Sequence, residues 1–143
     1  MFVGTFRNRV DEKGRLAIPA GFRGRLPEGS YISIGADNVL TIYPPEQWEA
    51  LAQQLASPFL DRDQRALARA LFSMAIACEF DAQGRVTLSQ EQRRQAGIEP
   101  RSTVSVVGAG SRVEIWSEPN WEPYSDDARG RFTELVDQVI HRP

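Results

Sequence analysis

The sequence is short of the residues that most site chemistry requires. Its one cysteine, Cys78, excludes an intrachain disulfide and fits a reducing compartment. Its one histidine, His141, lies close to the C-terminus, which argues against most metal sites and against histidine-dependent catalysis. Lysine occurs once, as Lys13, so the cations are otherwise arginines, whose planar fork suits phosphates and guanine edges but equally suits structural ion pairs. No apolar run approaches bilayer length; the longest nearly apolar stretch is residues 71–78. The first residues lack a basic segment followed by an apolar one, so no signal peptide is expected. There is no nucleophile elbow, phosphate loop or dinucleotide fingerprint, and Gly108-Ala109-Gly110 reads as a turn. The expectation is a soluble cytoplasmic protein that is not an enzyme, with no cofactor, metal, membrane partner or small-molecule substrate.

What is present is globular and polarised. Across 143 residues, 41% are apolar and 25% charged, enough for one ordinary domain or two very small ones sharing a core. The net charge is −2, but its distribution says more than its sum. Residues 1–25 set Arg7, Arg9, Lys13, Arg15, Arg23 and Arg25 against Asp11 and Glu12, whereas residues 113–143 set seven acids against three arginines. The chain begins basic and ends acidic.

Its most informative feature is an internal repeat. Asp11-Glu12-Lys13-Gly14-Arg15-Leu16-Ala17-Ile18 aligns with Asp81-Ala82-Gln83-Gly84-Arg85-Val86-Thr87-Leu88. Further on, Ile34-Gly35-Ala36 meets Val107-Gly108-Ala109, Leu40–Tyr43 meets Val113–Trp116, and Trp48 meets Trp121. The order of motifs is kept over more than forty residues, which establishes a duplication.

Each copy reads as β-β-α-β-β. Thr5–Val10 has strand character, Asp11–Gly14 has turn chemistry, and Leu16 and Ile18 share one face of a return strand, so a hairpin is expected. Pro19 opens a short helix. In the second copy Ser89 and Gln92 have capping-box spacing and Gly97 marks the helix end. A second hairpin follows in each copy, 31–34 with 39–43 and 103–107 with 112–116. Between the copies, Pro45 starts a helix carrying Trp48, Leu51 and Leu55, and another begins near Asp61 with Leu67, Leu71 and Met74 on one stripe. Phe132, Leu135, Val136, Val139 and Ile140 form a broad apolar face near the C-terminus. The resulting division is 5–47, linking helices 48–75, 76–119, and a C-terminal helix in 120–143. Units this small are expected to share one core and to oligomerise.

The candidate site is the repeated Asp-x-x-x-Arg, Asp11 with Arg15 and Asp81 with Arg85, its turns supported by Gly14 and Gly84. One reading makes the carboxylate a turn support and the arginine its structural partner. The other has the carboxylate hold the arginine out toward a phosphate or base edge. Arg7, Arg9 and Lys13 favour the second reading for the first copy; Ala82 and Gln83 give the second copy no such support, so the first is expected to dominate. Cys78 is expected to be buried and inert, and Trp48 and Trp121 to pack in the core.

These two motifs, the opening Met1-Phe2-Val3-Gly4 and the stretch Val107–Trp116 resemble the bacterial MraZ family, over nearly the whole chain. The resemblance implies an α+β fold: two AbrB/SpoVT-like units joined into a pseudo-symmetric swapped-hairpin barrel with flanking helices. It also implies subunits arranged in a ring. As a function it implies a nucleoid-associated transcriptional regulator, a repressor of its own division and cell-wall gene cluster, acting on double-stranded DNA at repeated boxes in the operon's promoter. The DNA-contacting arginine of the motif falls on Arg15, with Arg85 its counterpart. The alternatives are an AbrB-like antitoxin, which usually has one such motif per chain, and a scaffold ring whose arginines are structural.

Overall fold

The computed structural model describes residues 1–142. Pro143, the last residue of the expected C-terminal segment, lies outside the described residues. The first half contributes β1 (Thr5–Arg9), β2 (Arg15–Ala17), α1 (Ala20–Arg23), β3 (Tyr31–Ile34) and β4 (Leu40–Tyr43). Two linking helices follow, α2 (Pro45–Gln54) and α3 (Arg62–Ser73). The second half repeats the order with β5 (Ile76–Ala77), β6 (Arg85–Thr87), α4 (Gln90–Ala96), β7 (Thr103–Gly108) and β8 (Val113–Ser117). The chain closes with α5 (Glu118–Gly130) and α6 (Phe132–Val139), so the C-terminal segment is two helices rather than one.

The local signals act as their chemistry dictates. Ser89 accepts from the Gln92 amide while the Gln92 side chain accepts from the Ser89 amide, a complete capping box, and Gly97 ends α4 at φ +67°. Asp61 and Gln64 cap α3 in the same way. The hairpins β3–β4 and β7–β8 form as expected.

The first strand pair of each copy does not. The Asp11–Gly14 turn closes, with the Gly14 amide donating to the Asp11 carbonyl, but its two arms part. β1 pairs antiparallel with β7, and β2 pairs antiparallel with β6. The second copy mirrors this, its β5 pairing with β3. The plain hairpin read from the turn thus gives way to an exchange between halves, the swapped-hairpin arrangement that the family resemblance implies. The physical reason is that the inward side chains of β2 and β6, Leu16 and Val86, are buried in a core that both halves build, so each return strand is covered by pairing across the duplication. The pairing of β4 with β8 completes a six-stranded antiparallel sheet, β1-β7-β8-β4-β3-β5, beside the two-stranded β2–β6 ribbon.

One hydrophobic core draws on both halves, including Leu16, Ile32 and Ile42 from the first and Val86, Leu88 and Ile115 from the second. Gln92 is fully buried within it, yet satisfied: its Nε2 donates to the carbonyls of Ile32 and Met74, both at 3.0 Å. Trp48 stacks on Tyr31 at 4.8 Å, and Trp121 packs on Trp116 at 5.1 Å, so both tryptophans belong to aromatic clusters. Cys78 is buried, which pushes its thiol up to about 12. Leu67 departs from the expected stripe: Leu71 is buried and Met74 half-buried, but Leu67 is 55% exposed. Among the described residues no helix is long and apolar enough to cross a membrane.

Candidate nucleic-acid interface

The exchange brings the two Asp-x-x-x-Arg turns together. In the ribbon, Arg15 lies opposite Thr87 and Ala17 opposite Arg85, with Leu16 and Val86 between them. Strand side chains alternate faces. Leu16 and Val86 therefore enter the core while Arg15, Ala17, Arg85 and Thr87 occupy the outer face. The outcome is two arginines at diagonal corners of a narrow face whose other corners are small and exposed.

Each arginine is held by the aspartate that opens its turn. Asp11 Oδ1 accepts from the backbone amides of Lys13 (2.9 Å) and Arg15 (2.8 Å), and Oδ2 accepts from Arg15 Nε at 2.7 Å. Asp81 repeats the pattern with the amides of Gln83 and Arg85, both at 2.9 Å, and with Arg85 Nε at 2.8 Å. The bond from the Arg15 amide, followed by the ion-paired side chain, holds the Asp11 carboxyl below the ordinary aspartate range. Asp81 is lowered for the same reasons by Arg85. Using Nε for the carboxylate orients each guanidinium and leaves its terminal nitrogens for a ligand. The two turns also touch electrostatically, since Arg85 Nη1 lies 3.8 Å from Asp11 Oδ2.

Gly14 and Gly84 have φ of +82° and +76°, the left-handed backbone that closes both turns. Lys13 is exposed at the tip of the first turn. Arg7 and Arg9 are not brought to this face. Asn8, between them on β1, points the other way and donates to the Ala17 carbonyl on β2. Arg7 instead ion-pairs with Glu118 at the start of α5, and Arg9 is exposed beside it on β1. Arg7 of the basic N-terminal cluster thus meets an acid of the C-terminal helices. The geometry adds two cations that sequence reasoning passed over as site residues, Arg23 and Arg93, packed against the turn glycines. Their signal was the repeat itself, which places each on the short helix after its own turn.

The sequence pattern of the family described as MraZ protein matches residues 1–70 and again 71–142. The chain is 40% identical over 141 residues to the transcriptional regulator MraZ of Desulforamulus reducens, covering 98% of both chains. It is 40% identical to that of Heliobacterium modesticaldum and 40% to that of Moorella thermoacetica, each over 98% of this chain and 97% of the relative. The match divides where the internal repeat divides, and it spans the duplicated motifs just described. The chain belongs to the MraZ family.

Proposed function

We propose that the outer face of the β2–β6 ribbon docks on double-stranded DNA and that the chain is a sequence-specific transcriptional regulator. The observation that carries this reading is the pair of arginines, each clipped at Nε by its own aspartate, on one exposed face with only Ala17 and Thr87 beside them. A two-stranded ribbon is narrow enough for the major groove. Within this motif the charges of Asp11, Asp81, Arg15 and Arg85 cancel. Its contribution is therefore directional hydrogen bonding to base edges, while Lys13, Arg23 and Arg93 supply the surrounding positive field. Arg7 and Arg9 lie off this face and act from its flank, on phosphates beyond the ribbon.

The target in this reading is the promoter of the protein's own operon, in the division and cell-wall gene cluster, where repeated boxes are bound and transcription is repressed. The protein works as a ring-shaped homo-oligomer on the nucleoid. Repetition of a weak, nearly neutral motif around a ring raises its effective affinity without new contacts. A shift assay with the upstream region of its own gene against scrambled DNA, across a salt series, tests the reading. Preferential retention of the upstream region supports it. Retention of neither leaves the scaffold reading, in which Asp11–Arg15 and Asp81–Arg85 only stiffen the turns, and equal retention of both overturns the sequence-specific reading.

A further inference from the structure

The two cations that flank the ribbon are seated in a crossed arrangement. A Cβ placed on Gly14 would stand 1.8 Å from Arg93 Nη1 and 2.6 Å from the Leu88 carbonyl oxygen. One placed on Gly84 would stand 2.3 Å from Arg23 Nη1 and 2.7 Å from its Cζ. Each guanidinium therefore occupies the space beside the glycine of the other half's turn, where a Cβ would stand, and both arginines are half-buried there.

Hydrogen bonds close the arrangement. The Leu88 amide donates to the Gly14 carbonyl at 2.8 Å, and Arg93 Nη1 donates to the Leu88 carbonyl. In mirror fashion the Ile18 amide donates to the Gly84 carbonyl at 3.2 Å, and Arg23 Nη1 donates to the Ile18 carbonyl at 2.8 Å. Arg93 thus fastens the end of the second half's ribbon strand onto the first turn. Arg23 fastens the first half's strand onto the second turn.

We propose that Arg93 is a positioning residue for Arg15, and Arg23 for Arg85, each acting across the duplication on the turn it covers. Only a planar fork fits between a glycine peptide and a carbonyl in this way, so lysine keeps the charge but loses the clamp. Direct phosphate contact by Arg23 and Arg93 is the competing role. It depends on charge and does not single out the opposite turn.

The proposal rests on the DNA-binding reading only for its consequence, and the test separates the two. Amide hydrogen exchange on the intact protein is compared for wild type, Arg93→Lys and Arg23→Lys. Loss of one charge-assisted hydrogen bond is expected to speed exchange at Gly14 and Arg15 about tenfold or more in Arg93→Lys, with Gly84 and Arg85 unchanged. Arg23→Lys is expected to do the reverse. Unchanged exchange, or equal acceleration of both turns, overturns the clamp. Should either variant unfold, nitrogen NMR of the wild-type guanidinium groups decides: slow Nη exchange at Arg23 and Arg93 but not at exposed Arg62 and Arg94 supports the clamp, and fast exchange at all four overturns it. In shift assays the coupling is also crossed. Arg93→Lys adds little to Arg15→Ala but multiplies with Arg85→Ala, whereas additive losses with both overturn the positioning role. Crossed exchange in a protein that retains no DNA leaves the clamp standing and defeats the DNA reading alone.

Discussion

At the scale of single residues, Arg15 and Arg85 are held alike, each through Nε by the aspartate of its own turn. Arg7 is turned toward Glu118, so the first turn retains Lys13 as its one extra cation on the ribbon face. We expect Arg15→Ala and Arg85→Ala each to weaken preferential binding of the upstream DNA by about tenfold or more while leaving a measurable remainder, with Lys substitutions rescuing little because the oriented fork is lost. Lys13→Ala is expected to weaken all DNAs alike and to lower the salt slope by about 0.9 per engaged subunit. Quantitative shift assays across a salt series check both. If Lys substitution at position 15 restores affinity, and Arg15→Ala weakens upstream and scrambled DNA alike, the contact is to phosphate.

The turn carboxylates and the buried thiol respond to pH in opposite directions. Asp11 and Asp81 are lowered in the folded state, so their support of the turns is complete above the ordinary aspartate range and fades as pH falls through the lowered values. Carbon NMR titration should therefore show both carboxyls titrating below free aspartate, with Arg15→Ala moving Asp11 back up. Cys78 is raised from about 9 to about 12 by burial, so its contribution is present below pH 9 and is lost as pH climbs toward 12. At neutral pH a maleimide should label Cys78 only after denaturation; rapid labelling of the native protein would show that the site opens.

At the scale of elements, the parts governed by short-range chemistry were legible in the sequence. Asp11 and Gly14, Ser89 and Gln92, Gly97, and Pro45 each fix a turn, a cap or a start through neighbours a few residues away. Ser89→Ala removes the hydroxyl that accepts from the Gln92 amide, and should cost about 1 kcal/mol in chemical denaturation, with α4 loosening first. The exchange of strands was not legible from the turn, because an Asp-x-x-Gly turn has the same local chemistry whether its arms pair with each other or part. What decides is the burial of Leu16 and Val86 against the opposite half, information carried by residues seventy positions apart. The crossed seats of Arg23 and Arg93 depend on the same exchange and were hidden for the same reason. The buried end of Gln92 was likewise silent: its spacing from Ser89 announces a cap, but not the bonds to Ile32 and Met74.

At the scale of the whole molecule, the unsatisfied feature is α6. Phe132, Val139 and Ile140 are 67%, 67% and 71% exposed in the isolated chain, although Leu135 and Val136 beside them are half-buried. Phe59, before α3, and Leu67, on it, are also exposed, at 91% and 55%. Apolar surface concentrated on an element that the subunit's own core does not use marks an interaction surface. Head-to-tail contact between unlike surfaces gives a ring where the rotation closes, whereas a single self-complementary patch stops at a dimer. We therefore expect assembly beyond a dimer at micromolar concentration, measured by light scattering. Ile140→Asp and Val139→Asp should disperse the assembly while leaving the subunit folded, because exposed positions change subunit stability by only about 0.5 kcal/mol. Circular dichroism establishes that the fold persists. The dispersed variant keeps both ribbon arginines, so it should still bind DNA through single contacts but lose the avidity that linkage supplies, a loss within the roughly hundredfold or greater gain open to joined sites. A stable monomer near 16 kDa in the wild type, or full promoter affinity in the dispersed variant, would show that the ribbon acts alone.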